Sequence, residues 1–151
     1  NKSFEFYFDF ISPYSFLAHK QIRKLEKKNS IKIKYKPILL GGLHNLHNIK
    51  APAFIPAKAK FMIRDCKMIA EKNGVKFKFN SYFPIKILKN IQVNPKTFFL
   101  RSTTQNIKEK LKNKTNEAYE KGIFGAPTFL INNKIFWGQD RLEFVIKEAS
   151  K

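Results

Sequence analysis

FEFYFDFISPYSF, residues 4–16, is the stretch that decides the fold. Phe4, Phe6, Phe8 and Phe10 alternate with Glu5, Tyr7 and Asp9, a period of two that predicts a strand with one apolar face on a core. At Ile11 the alternation stops. Ser12 then stands where a helix N-cap belongs, Pro13 suits the first helical position, and Tyr14, Leu17, Ala18, Ile22 and Leu25 follow at helical spacing. The segment therefore reads as strand, abrupt turn, helix, with two hydroxyls at the turn. A helix N-terminus carries unpaired N–H groups and about half a positive charge, so an anion has a ready place at Ser12.

Working outward, residues 31–38 alternate again and predict a second strand, which Pro37 ends or marks as an edge. Two strands flanking one helix suggest a parallel βαβ unit. Residues 39–56, with Gly41 and Gly42 near the start and Pro52 and Pro56 near the end, read as a long loop. A helix is expected over 57–73, ended by Gly74. Residues 75–85 read as an extended loop, 85–91 as one or two helical turns, and a short helix after Pro95 carries Phe98 and Phe99. Ile107, Leu111, Thr115 and Ala118 line one face of a better helix that Gly122 ends. A third strand over 124–132, a tight Asn132–Asn133 turn and an antiparallel fourth strand over 134–138 follow. Gln139 or Asp140 caps a last helix whose Leu142, Val145, Ile146 and Ala149 face the core.

At 151 residues, 43% of them hydrophobic, the chain predicts one packed α/β domain needing no disulfide or metal. No run approaches a membrane span, and the N-terminal stretch reads as a strand rather than a signal peptide. The single cysteine, Cys66, rules out an internal disulfide and a CxxC pair; on the stripe Met62, Cys66, Ile69 it reads as a core thiol, which fits a cytoplasmic setting. A net charge of +19 invites a nucleic-acid reading, yet only 4 of 30 basic residues are Arg and the Lys residues are spread along every element. The expectation is a solvated basic surface with no nucleic-acid partner and an attraction for small anions. The sequence leaves monomer and homodimer open.

Three segments carry a family resemblance. FYFDFISPYSFLA (6–18) resembles the opening of the 2-hydroxychromene-2-carboxylate isomerases and kappa-class glutathione transferases, relatives of the DsbA-type thioredoxin fold in which SPYS replaces a CPHC redox motif. GIFGAPTFLINNKIFWGQDRLEF (122–144) resembles the family's closing segment, and IPAKAKFMIRD (55–65) its first inserted helix. The resemblance implies a thioredoxin-like α/β fold, 1–40 and 123–151, with a helical insertion over 41–122 packed as one unit. Relatives carry a longer insertion with an aromatic-rich helix, and nothing between Ile91 and Asn106 resembles it, so the insertion is read as shortened.

The resemblance also implies a cofactor, glutathione, and a site. Ser12 matches the position whose hydroxyl holds the glutathione sulfur; on residues alone it is an N-cap worth about 1 kcal/mol. Ser15 reads as a first-turn hydroxyl. Pro127 matches a cis-proline that turns Ala126 toward the cysteinyl backbone. Trp137, Gly138, Gln139 and Asp140 match the segment receiving the γ-glutamyl end; on residues alone Trp137 is a core aromatic and Asp140 a cap. Asn48, Lys50 and Lys58 are candidates for the glycine carboxylate and an acidic substrate, and Tyr82 for stacking on an aromatic one. His19 is expected to face solvent, and His44 and His47 lack the acidic or Cys partners of a metal site. The implied reaction is a glutathione-dependent isomerisation, with glutathione transfer to an electrophile and non-catalytic glutathione binding as rivals.

Overall fold

A computed structural model describes residues 3–26, 31–79 and 104–151. Strand β1 (Ser3–Phe8), helix α1 (Pro13–Glu26) and strand β2 (Lys32–Pro37) come first. Helix α2 (Leu40–Leu46), a 3-10 turn (Pro52–Phe54), helix α3 (Pro56–Lys72) and helix α4 (Gln105–Glu120) follow. The chain closes with strands β3 (Thr128–Ile131) and β4 (Lys134–Trp137), a 3-10 turn (Gln139–Arg141) and helix α5 (Leu142–Ala149). The sheet runs β2-β1-β3-β4. β1 pairs with β2 in parallel, Phe6 opposite Tyr35, and with β3 antiparallel, Phe6 opposite Phe129. The βαβ unit and the Asn132–Asn133 turn are as the sequence predicts, with Asn132 and Asn133 at φ +49° and +58°; β3 is shorter than the expected 124–132, because the chain bends at 125–127, where the Ala126–Pro127 bond is cis, before the strand begins.

The central strand is buried on both faces. Phe4 and Phe6 pack with Ala18 and Ile22 of α1, Phe129 and Ile131 of β3, and Leu142, Val145 and Ala149 of α5. On the other face Tyr7 packs with Ile38, Leu43, Ala118 and Ile123. The apolar stripe is shorter than the alternation suggests: the strand stops at Phe8, and Phe10 is 77% exposed. Beyond Phe8 there is, among the described residues, no neighbouring strand to hide an outward side chain, because β2 ends opposite it at Pro37.

The predicted long loop over 39–56 is not one; it contains α2. The residue before that helix, Leu39, provides no side-chain cap. Distant side chains hold the helix start instead: Leu40 N–H donates to Asp9 Oδ2 at 2.7 Å, and Leu39 N–H to Thr115 Oγ1 at 2.9 Å. α3 ends as expected ahead of Gly74, at φ +62°. In α4, Thr115 and Ala118 are buried but Ile107, in the first turn, is exposed, so the inward face begins later than its spacing implies. Residues 75–79 form no helix or strand; the elements expected over 80–103, and the stacking role expected of Tyr82, lie outside the described residues. Among the described residues no helix is long and apolar enough to cross a membrane.

Candidate functional site

The turn between β1 and α1 is built around Asp9. Its carboxylate accepts the N–H of Ile11 at 3.1 Å and that of Leu40 at 2.7 Å, and its carbonyl accepts the N–H of Ser12 at 3.1 Å. Ser12 is buried at the start of α1 and caps it: Oγ accepts the Ser15 N–H at 3.1 Å. The Ser12 hydroxyl proton is donated across the fold to the carbonyl of Ala126, also at 3.1 Å. One oxygen thus joins the N-terminus of α1 to the entry of β3. Three residues on, the buried Ser15 Oγ has no hydrogen-bond partner among the described residues.

The Ala126–Pro127 bond is cis. Thr128 Oγ1–H donates to the Gly125 carbonyl at 2.7 Å and Gly138 N–H to the Pro127 carbonyl at 3.0 Å, tying the end of β4 to this turn. A Cβ at Gly125 would lie 2.6 Å from the Trp137 indole nitrogen, so any larger residue there would displace that ring. Gly138, at φ +113°, turns the chain into the 139–141 segment. Trp137 is 54% exposed rather than in the core, its ring 5.1 Å from that of Phe124. Asp140 is not a cap: α5 begins only at Leu142 with no side-chain cap, and the exposed Asp140 carboxylate pairs with the Arg141 guanidinium. The N–H groups of Gln139 and Asp140 meet no acceptor among the described residues. Gln139 is anchored to α1, where Gln21 Nε2 donates to its Oε1 at 3.2 Å.

The DSBA-like thioredoxin domain matches residues 4–92 and 84–149, two stretches that meet at 84–92. The chain belongs to this family. It is 25% identical to the 2-hydroxychromene-2-carboxylate isomerase of Sphingobium xenophagum over 191 aligned positions, 95% of this chain and 96% of that protein. An alignment of that length against 151 residues opens gaps in this chain, in keeping with a shortened insertion. Glutathione S-transferase kappa 1 of Caenorhabditis elegans is 38% identical over 68 residues, 44% of this chain and 30% of that one. Among solved structures, a 2-hydroxychromene-2-carboxylate isomerase superposes with a TM-score of 0.83 at 20% identity, covering 98% of this chain and 94% of that one. The thiol-disulfide exchange protein α-DsbA2 of Wolbachia pipientis gives 0.60 at 18% identity, covering 98% and 80%. The fold is that of a DsbA-like thioredoxin domain.

Within this DsbA-like frame the structure brings Ser12, Ala126, Pro127, Gly138 and Gln139 together by direct bonds or chain adjacency, with Trp137 and Asp140 beside them. It forms no such bond to Asn48, Lys50 or Lys58. Asn48 is exposed at φ +55°, and Lys58 is exposed in the first turn of α3. Lys50 lines a cleft of about 480 Å³ with Gly41, His44, Asn45, Ile49 and Phe54. His44 is buried there, its Nδ1 without a hydrogen-bond partner among the described residues, and burial and the neighbouring His47 push its pKa down. His47 Nε2 sits 2.9 Å from the Ile123 carbonyl, and His19 is half-buried against Tyr35 rather than facing solvent. Among the described residues no three His, Cys, Asp or Glu side chains gather as metal ligands. Cys66 lies in the core with Leu17 and Ala70, its thiol pushed up to about 11 by burial.

The sequence reading missed Asp9, Gln21 and Phe124. Asp9 carried a signal of its own: a carboxylate three residues before an N-cap serine, at the end of a strand, can turn back onto the following N–H groups. Gln21 and Phe124 carried none, since their partners are 118 and 13 residues away in sequence.

Proposed function

We propose that this chain binds glutathione at the Ser12 turn and is an isomerase of the 2-hydroxychromene-2-carboxylate type. The observation that carries the reading is the Ser12 hydroxyl, at a helix N-terminus and aimed at the Ala126 carbonyl. Full-length similarity to the isomerases supports it. The residues fit a thiol peptide. The Ser12 hydroxyl has one proton, donated here to the Ala126 carbonyl; turned to a sulfur, it leaves that carbonyl free for the cysteinyl N–H. The α1 terminus adds partial positive charge, so thiolate is favoured over thiol. The unused Gln139 and Asp140 N–H groups suit the γ-glutamyl carboxylate, and the Asp140 carboxylate suits its ammonium. When bound, glutathione supplies a thiolate that adds reversibly to a conjugated ene-carbonyl, giving a single bond free to rotate before the thiolate is expelled. Ser12 is then a hydrogen-bond donor to sulfur and not itself a nucleophile.

Trp137 is the only tryptophan in the chain and lies at this site, so its fluorescence reports binding directly. Titration with glutathione should change the emission saturably, and the loaded protein should interconvert the cis and trans isomers of a conjugated ene-carbonyl of an aromatic acid without net consumption of glutathione. Absence of saturable binding removes the reading altogether. Saturable binding with stoichiometric consumption of glutathione and a stable thioether product identifies a transferase, the reading that the kappa-class similarity favours.

A further inference from the structure

The first turn of α1 is also anchored from the insertion. Tyr14, two residues after Ser12, donates its phenolic hydrogen to Asp65 Oδ2 of α3 at 2.7 Å, across 51 positions of sequence. Both residues are half-buried. Beside this bond Tyr14 and Met62 pack against the buried Leu17, Cys66 and Ala70, so the two helices share an apolar contact. Toward the C-terminal ends of the same helices, Lys24 Nζ donates to the Asn73 carbonyl, also at 2.7 Å. The Tyr14–Asp65 bond thus adds a fixed point at the end of the contact that carries the Ser12 turn.

What it fixes follows from helix geometry. With Ser12 as the cap, the N–H groups two and three residues on point back toward its side chain. That of Ser15 is taken by Ser12 Oγ. That of Tyr14 meets no acceptor among the described residues, and Pro13 has none to offer. The Tyr14 N–H is therefore left open to an anion held at Ser12, and its residue is tied by its ring to α3. The tie persists through a thiol titration: burial and the bond to Asp65 hold the Tyr14 phenol above its ordinary value, and burial pushes the adjacent Cys66 thiol up to about 11.

We propose that Asp65, acting through Tyr14, is a positioning residue for the thiolate: their bond directs the Tyr14 N–H at the sulfur held at Ser12. The inference rests on the reading of the Ser12 turn as a glutathione site. Its test follows the thiol midpoint of bound glutathione on the intact chain by near-ultraviolet absorbance. Asp65→Ala and Tyr14→Phe should each raise the midpoint by about 0.3 to 1 unit, the size of a helix-terminus contribution. The double variant should raise it no further, because both changes break one link. Tyr14→Phe keeps the ring in its packing and carries the test if Asp65→Ala does not fold. Asp65→Asn still offers the phenol an acceptor and should leave the midpoint at or below that of the parent. The sign is diagnostic, since a carboxylate acting by charge alone disfavours a nearby thiolate and its removal would lower the midpoint. Lys24→Met breaks the other bond between the two helices and should not move it. S-methylglutathione, with no thiol to ionise, should bind every variant as it binds the parent. A midpoint unmoved in Tyr14→Phe and Asp65→Ala, lowered in Asp65→Ala, or raised as far by Lys24→Met would overturn the positioning role while leaving glutathione binding intact. A matching loss of S-methylglutathione affinity would make the bond a support of the whole peptide site and overturn it as well. If glutathione fails to bind the parent, or binds it with an unshifted thiol, the functional reading falls, and this inference with it.

Discussion

Replacing Ser12 with alanine separates two roles that meet in one oxygen. In the folded chain Oγ accepts the buried Ser15 N–H and donates to the Ala126 carbonyl, both at 3.1 Å. Loss of an N-cap costs about 1 kcal/mol, and loss of a neutral hydrogen bond about 1 kcal/mol more, so Ser12→Ala should be destabilised by about 2 kcal/mol. For a domain with a urea m-value of about 2 kcal/mol/M, this lowers the unfolding midpoint by about 1 M. Ser12→Thr keeps the hydroxyl and should recover most of it. The second readout is the ionisation of bound glutathione, followed by near-ultraviolet thiolate absorbance. A free thiol titrates near about 8.5, and the parent should lower the bound value by at least about one pH unit. A hydrogen bond to a charged group contributes at most about 1.5–3 kcal/mol, and about 1.4 kcal/mol corresponds to one pH unit, so Ser12→Ala should raise the bound midpoint by no more than about 1–2 units and only partway to the value of free glutathione. Part of the shift should survive, since the α1 terminus remains. Falling stability with an unmoved thiol midpoint would leave Ser12 as a cap and refute its activating role. Unchanged stability would refute the geometry itself.

Asp140→Asn should weaken glutathione binding while leaving the melting temperature nearly unchanged, because the carboxylate caps no helix and pairs only with the exposed Arg141. Differential scanning calorimetry and a binding titration read the two effects separately, and equal affinity would restrict Asp140 to that surface pair. Glu148 is held at about 2, chiefly by hydrogen bonds from Lys134 at 2.8 Å and Lys151 at 2.9 Å, against an ordinary value of 4.5. A depressed carboxylate stabilises the fold above its unfolded value, so this contribution should be complete above about pH 4.5 and fade toward pH 2. Urea titrations should show Glu148→Gln less stable than the parent at neutral pH, with the gap closing in that window; a gap constant with pH would contradict the assignment. The buried Cys66, with its thiol pushed up to about 11, should resist iodoacetamide at pH 8 until urea unfolds the chain, as mass spectrometry would show. Labelling at the rate of a free thiol in the native protein would place Cys66 outside the core.

How far the sequence could be read follows from how local each cause is. The β1–turn–α1 segment is legible because alternation, cap and proline act within a few residues, and the hairpin because two successive asparagines accept positive φ. α2 is illegible for the opposite reason. Its own residues, with two glycines and no cap, argue for a loop, and its start is held by Asp9 and Thr115 from 31 and 76 residues away. Asp140 fails in the same sense: a carboxylate ahead of an apolar helix reads as a cap, but positive φ at Gly138 starts a 3-10 turn that moves the helix start to Leu142. Phe10 fails because alternation specifies which side a residue takes and not whether a neighbouring strand is there to cover it. These three misreadings converge on one region. Asp9 holds α2 and the exposed turn together, and the 3-10 turn frees the Gln139 and Asp140 N–H groups that a regular cap would have used. The residues with the least to say locally are therefore those whose groups remain open beside Ser12, the groups that the proposed function assigns to a ligand.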